Sequence, residues 1–137
     1  MPGYSGTPLP KKLGIKPSHR VALVGAPKGF EDELVGLPDD ATLSRGLRGT
    51  KLYDVIIIFS KTEKHLTDNL DKARALLDQS GGIWCCWPKK ASGVSTELSD
   101  GTVREIGLAT GMVDNKTCAV TDVWSGLRFV IRLKDRR

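Results

Sequence analysis

Apolar positions fall along this chain as short continuous runs separated by stripes of helical period. Val21–Val24 is an apolar run between Pro17-Ser18 and Gly25-Ala-Pro27, which predicts a buried strand. Phe30, Leu34 and Leu37 follow at i, i+4 and i+7 and predict a short helix stopped by Gly36-Leu-Pro38. Glu31, Asp32 and Glu33 crowd its first turn, where the helix dipole favours acids. Ala41–Ser44 reads as a weak strand and Arg45–Gly49 as a loop. Val55–Phe59 is apolar throughout, as central parallel strands are. Ser60-x-x-Glu63 then reads as a capping box, and Leu66, Leu70, Ala73 and Leu77 form the stripe of a second helix ended by Gly81-Gly82. Ile83–Trp87 is another buried strand, stopped by Pro88. Thr102-x-x-Glu105 caps a third helix over Val103, Ile106 and Leu108, with Gly111 as its stop. A hairpin closes the chain: Thr117–Trp124, a Ser125-Gly126 turn, and Leu127–Leu133.

Strands alternating with helices predict an α/β class. The expected fold is a shortened Rossmann-like three-layer arrangement with a mostly parallel sheet and a C-terminal antiparallel hairpin. At 137 residues there is room for one domain. Residues 1–18 carry Pro2, Gly3, Gly6, Pro8, Pro10, Gly14 and Pro17, which predicts an extended N-terminal arm. Tyr4, Leu9, Leu13 and Ile15 would lay it on a single α/β domain of residues 19–137.

Composition narrows the functional classes. No apolar run approaches a membrane span, and the start lacks the charged and apolar regions of a signal peptide, so a cytoplasmic protein is expected. Three Cys and two His argue against a disulfide framework and against a metal site, and no cofactor is implied. The net charge of +5 is uneven, with +5 in residues 1–30, +4 in 128–137 and −4 between them. Basic ends suit nucleic acid or another polyanion, and also suit plain solvation.

Ligands of parallel α/β sheets sit at the carboxyl ends of the strands. That rule gathers Lys28, Ser60, Lys61, Lys89, Lys90 and Ser92 on one edge, a set suited to phosphate or carboxylate. Gly25-x-x-x-Gly29 is neither a dinucleotide fingerprint nor a P-loop, and the acids behind it would repel a pyrophosphate. A methyltransferase-like nucleoside site tolerates those acids, but no acidic residue ends the weak second strand to hold a ribose. Cys85 and Cys86 read as buried strand residues on opposite faces. His19 and His65 have no Ser or Cys partner nearby in sequence and read as structural. Asp122 shares a face with Val120, Trp124, Phe129 and Ile131 if the turn is at Ser125-Gly126. It is then expected, with Trp124, to be a structural anchor for the basic arm.

Three stretches, Gly3–Ile15 (GYSGTPLPKKLGI), Trp87–Val94 (WPKKASGV) and Cys118–Leu127 (CAVxDxWSGL), resemble a bacterial family of small proteins known only as a domain of unknown function. The resemblance implies one intact domain and no assigned activity. The leading expectation is a non-catalytic binding domain for a phosphorylated or anionic ligand at the sheet's carboxyl edge. The alternatives are a nucleic-acid or protein-interaction module using the basic termini, and a small enzyme using the lysines electrostatically. An exposed hairpin edge would also allow a homodimer.

Overall fold

The computed structural model describes residues 7–136. Six strands form one sheet: β1 (Arg20–Val24), β2 (Thr42–Arg45), β3 (Tyr53–Phe59), β4 (Leu77–Pro88), β5 (Val113–Ala119) and β6 (Trp124–Val130). Three α-helices accompany them: α1 (Leu9–Lys12), α2 (Glu63–Ala75) and α3 (Asp100–Leu108). The strand order is β2-β1-β3-β4-β6-β5. β2, β1, β3 and β4 run parallel, and β6 is antiparallel to both β4 and β5. The α/β class, the mostly parallel sheet and the antiparallel C-terminal hairpin are as the sequence pattern predicts.

The pleat divides the core in two. On one face Ala22, Ile56, Ile58, Ile83 and Cys85 pack against Leu66, Leu70 and Ala73 of α2 and Val103 of α3. On the other, Val21, Leu23, Ile57, Trp84 and Cys86 lie beneath Leu13 and Ile15 of the N-terminal segment and Phe30 and Leu34. Among the described residues, that second layer holds no long helix. The β1–β2 crossover makes only a 3-10 turn over Phe30–Glu33, in place of the predicted helix, because Gly36 and Pro38 leave too few residues to extend it. The N-terminal segment fills the space. Leu13 is fully buried, and the Trp84 indole N–H donates to its carbonyl at 3.0 Å. Residues 7–18 are not wholly extended, since Leu9–Lys12 makes one helical turn with prolines at its start. Tyr4 and the rest of residues 1–6 lie outside the described residues.

Four local expectations are corrected. The cap of α2 is Thr62, which accepts from the His65 N–H, rather than Ser60. The cap of α3 is Ser99, three residues before the predicted Thr102, and it accepts from the Thr102 N–H. The chain enters β4 at Leu77, and its register against β3 shifts between Tyr53 and Val55, so Gly81-Gly82 lies inside the strand rather than after a helix. The hairpin turns at Val120–Val123, not at Ser125-Gly126. Thr121 Oγ1 accepts from the Val123 and Trp124 N–H groups and so builds the turn. Gly126 is instead a strand residue, hemmed in by Trp84, Val120 and Cys86. Asp122 therefore sits exposed in the turn and cannot act as a buried anchor. β5 forms a sheet edge whose bulge at Asp114/Lys116 and central lysine are features that discourage strand addition.

Candidate functional site

From β1 the chain crosses to β2 on one side, and β3 then takes the place on β1's other side. Such a reversal opens a crevice outside the carboxyl ends of the two flanking strands. A cleft of about 440 Å³ lies there. Gly25 and Pro27 come from the end of β1, and Phe59, Lys61 and Thr62 from the end of β3. His65 enters from the first turn of α2, Val94 from the loop after β4, and Val123 and Trp124 from the hairpin.

Local chemistry explains this shape. Gly25 has φ 67°, and a Cβ there would lie 2.7 Å from the Phe59 carbonyl oxygen and 3.2 Å from His65 Cε1. Only glycine lets the β1 loop lie so close to the imidazole. Phe59 packs edge-on against Phe30 at 4.8 Å and against Trp124 at 5.1 Å between ring centroids. These contacts fix one wall of the cleft. The β3–β4 pairing continues one residue past the strand, with the Ser60 N–H donating to the Cys86 carbonyl at 3.0 Å. This holds Ser60, 2% exposed, beneath the imidazole. Ser60 Oγ and His65 Nδ1 are 2.6 Å apart. In the tautomer where the Ser60 hydroxyl donates to Nδ1, the ring N–H is on Nε2, close to Gly25 at the cleft, and can donate to a ligand.

The helix terminus itself is already occupied. The Glu97 carboxylate accepts from the Glu63 N–H at 3.0 Å, and Thr62 Oγ1 takes the His65 N–H. The Thr96 hydroxyl and the Glu97 N–H both donate to the Lys61 carbonyl, which ties the loop after β4 to the start of α2. Among the cleft's lining residues, Lys61 carries a cationic side chain and His65 can offer a ring N–H. Beside it, Arg45 at the end of β2 donates to the carbonyls of Ala26 and Pro27 and forms a bidentate pair with Glu31. This hydrogen bonding lowers the Glu31 carboxyl from an ordinary 4.5 to about 2. Arg45 clamps the β1 loop and stands where a ribose-binding acid would be expected on a nucleotide-binding sheet.

The residues picked from sequence are dispersed along this edge. Lys61 lines the cleft, and Ser60 supports it from below through His65. Trp124 is buried as a wall. Lys28 is exposed on the loop between Gly25 and Gly29. Lys89 lies near Cys118, as Lys12 and Lys116 do. Burial raises that thiol's pKa and the three lysines draw it back down. Lys90 is exposed, and the Ser92 hydroxyl turns back to the Lys89 carbonyl at 2.6 Å. The sequence reading missed the Ser60–His65 pair. Its signal was Thr62-x-x-His65, an alternative cap spacing that brings the imidazole back over the strand end.

No curated protein matches the chain. Among solved structures it is similar to a SAM-dependent methyltransferase from Aquifex aeolicus, with TM-score 0.65 and 13% identity over 89% of this chain and 87% of that one. It is also similar to fibrillarin from Aeropyrum pernix in complex with S-adenosyl-L-methionine, with TM-score 0.63 and 11% identity over 86% and 69% of the two chains. The DhpI–SAH complex gives TM-score 0.63 and 10% identity over 90% and 81%. At such identities the likeness establishes the fold, a Rossmann-like one. A family model described as "Protein of unknown function (DUF3052)" matches residues 42–133, and the chain belongs to that family.

Proposed function

We propose that this chain is a non-catalytic binding domain for a small anionic ligand with an apolar or aromatic body. The observation that carries the reading is the cleft of about 440 Å³ at the strand-order reversal. That size lies within the roughly 300–1,000 Å³ usual for small-molecule sites. Phe59, Val94, Val123 and Trp124 offer apolar contact, while Lys61 and His65 offer a cation and an N–H donor to a carboxylate or phosphate. A cytoplasmic setting accords with three unpaired thiols.

A second reading places an adenosyl ligand in the same cleft. It is favoured by the fold shared with the SAM-dependent enzymes, and opposed by Arg45 at the end of β2. A third assigns the basic segments to nucleic acid. Thermal unfolding against aromatic carboxylates, phosphorylated metabolites, S-adenosylhomocysteine and short RNA and DNA, at low and high salt, separates them, because a ligand of the native state raises the midpoint. The proposal expects a salt-resistant shift with a small anion, weakened by about 10- to 100-fold in Lys61→Ala, as loss of a charged hydrogen bond implies. A shift with S-adenosylhomocysteine alone establishes the second reading. A shift with nucleic acid alone, lost at high salt, establishes the third.

A further inference from the structure

At the opposite edge of the sheet a second, smaller hollow of about 150 Å³ opens beside the β4 bulge. Its lining includes Lys16, His19, Asp54, Ser80 and Arg128. From these groups we infer a second binding site, for a small tetrahedral oxyanion such as inorganic phosphate or sulfate, centred on the Arg128 guanidinium. This site is independent of the cleft at the carboxyl edge.

Three features support it. First, Arg128 is half-buried yet has no carboxylate partner among the described residues. Its hydrogen bond to Asn115 Oδ1, at 3.4 Å, uses one of five N–H donors. A partly desolvated cation without a counter-ion is costly, and an anion in the hollow would supply one. Burial and then the nearby Arg136 charge both weigh against the Arg128 cation, so the same anion would also relieve that repulsion. Second, the missing side chain at Gly82 makes room for the guanidinium. A Cβ at Gly82 would have Arg128 Nε, Cζ and Nη2 all within 2.6 Å, so the side chain lies directly on glycine backbone. Third, the Lys16 N–H donates to His19 Nδ1 at 3.1 Å. The neutral imidazole must then carry its proton on Nε2, leaving a fixed N–H donor among the lining groups.

The acids nearby are already engaged. Asp54 Oδ2 accepts from the Arg20 N–H at 2.8 Å, and Asp78 Oδ1 accepts from both the N–H and the hydroxyl of Ser80. Lys16, Arg128 and the His19 N–H share the hollow with the Asp54 carboxylate, and the Asp78 carboxylate lies close to His19. The volume suits a single phosphate or sulfate and is too small for a nucleotide.

Thermal unfolding with inorganic phosphate titrated against chloride at constant ionic strength tests this. The midpoint should rise saturably in the wild type and in Lys61→Ala, with affinity at least about tenfold weaker in Arg128→Gln. No rise beyond that of matched chloride overturns the inference, as does an undiminished response in Arg128→Gln. If that variant does not fold, amide and guanidinium NMR of the wild-type chain decides. Phosphate-dependent shifts at Gly81 and at Arg128 Nε support the site, and shifts confined to Thr62 and His65 place the anion in the cleft and refute it.

Discussion

Two glycines in the same helix should respond to alanine with opposite signs. Gly101 and Gly107 both lie in α3. A Cβ at Gly101 meets nothing within 4 Å. Alanine there gains helix propensity and reduces the freedom of the unfolded chain, for about 0.5 kcal/mol of added stability near a helix start. A Cβ at Gly107 would have three atoms of the Phe129 ring within 2.5 Å. Comfortable carbon contacts need about 3.5–4.0 Å, so ring or helix must move by at least about 1 Å. Phe129 is fully buried between the sheet and α3, and its ring cannot retreat into solvent. Overpacking of this kind costs about 1–3 kcal/mol or more, which outweighs the propensity gain of at most about 1 kcal/mol. The expected net loss is about 2 kcal/mol, a midpoint lower by roughly 6–10 °C. Urea denaturation with unchanged m-values measures both variants. If Gly107→Ala proves as stable as wild type, or shifts in the same direction as Gly101→Ala, the close seating of α3 on β6 is wrong.

Other expectations follow from single contacts. Trp84→Phe removes the hydrogen bond to the Leu13 carbonyl and should cost about 1–3 kcal/mol, with faster amide exchange over residues 13–15 than elsewhere in the core. Equal acceleration throughout the sheet would contradict a local tie. The Glu31 pKa is lower in the folded chain, so its contribution to stability is complete above its ordinary 4.5 and is lost as pH falls toward about 2. A carboxyl titration by NMR should show Glu31 returning to an ordinary midpoint in Arg45→Gln. Burial pushes Cys85 up to about 12 and also raises Cys86, whereas Cys118 is half-exposed. Iodoacetamide should therefore modify Cys118 first in the native chain and all three cysteines in denaturant, read by intact mass. Early modification of Cys85 or Cys86 would show that the sheet opens locally.

Much of the fold could be read from the chain because its central strands are apolar on both faces. Val21–Val24, Val55–Phe59 and Ile83–Trp87 bury both sides of the pleat, and no polar pattern competes with that reading. Leu66, Leu70 and Ala73 marked α2 for the same reason. Leu77 extended that stripe by sequence spacing alone, yet it begins β4, because helix and strand periods coincide over so short an overlap. Ser125-Gly126 looked like a turn by dipeptide chemistry. In fact Gly126 is small because Trp84 and Val120 crowd it, and the turn is made by the Thr121 hydroxyl. The error moved Asp122 from an exposed turn to an apolar face.

The candidate cleft was legible at the level of the sheet edge and not at the level of side chains. Topology alone assigns the carboxyl ends of β1 and β3, which is how Lys61 and Ser60 were found. What local sequence cannot give is which lysine borders the cleft. Lys89 lies instead near Cys118 with Lys12 and Lys116. The Ser60–His65 contact depends on Thr62, rather than Ser60, taking the helix cap, a choice between two hydroxyls two residues apart.

The most direct test of the cleft reading is to map, by amide and indole NMR, where a small aromatic carboxylate or phosphate from the binding screen lands on the full chain. Concerted shifts are expected at Thr62, His65, Val94 and the Trp124 indole N–H, with a titration midpoint moved about 10- to 100-fold higher in Lys61→Ala. Shifts confined to the N-terminal segment or to residues 132–136, with the cleft resonances unmoved, would contradict it.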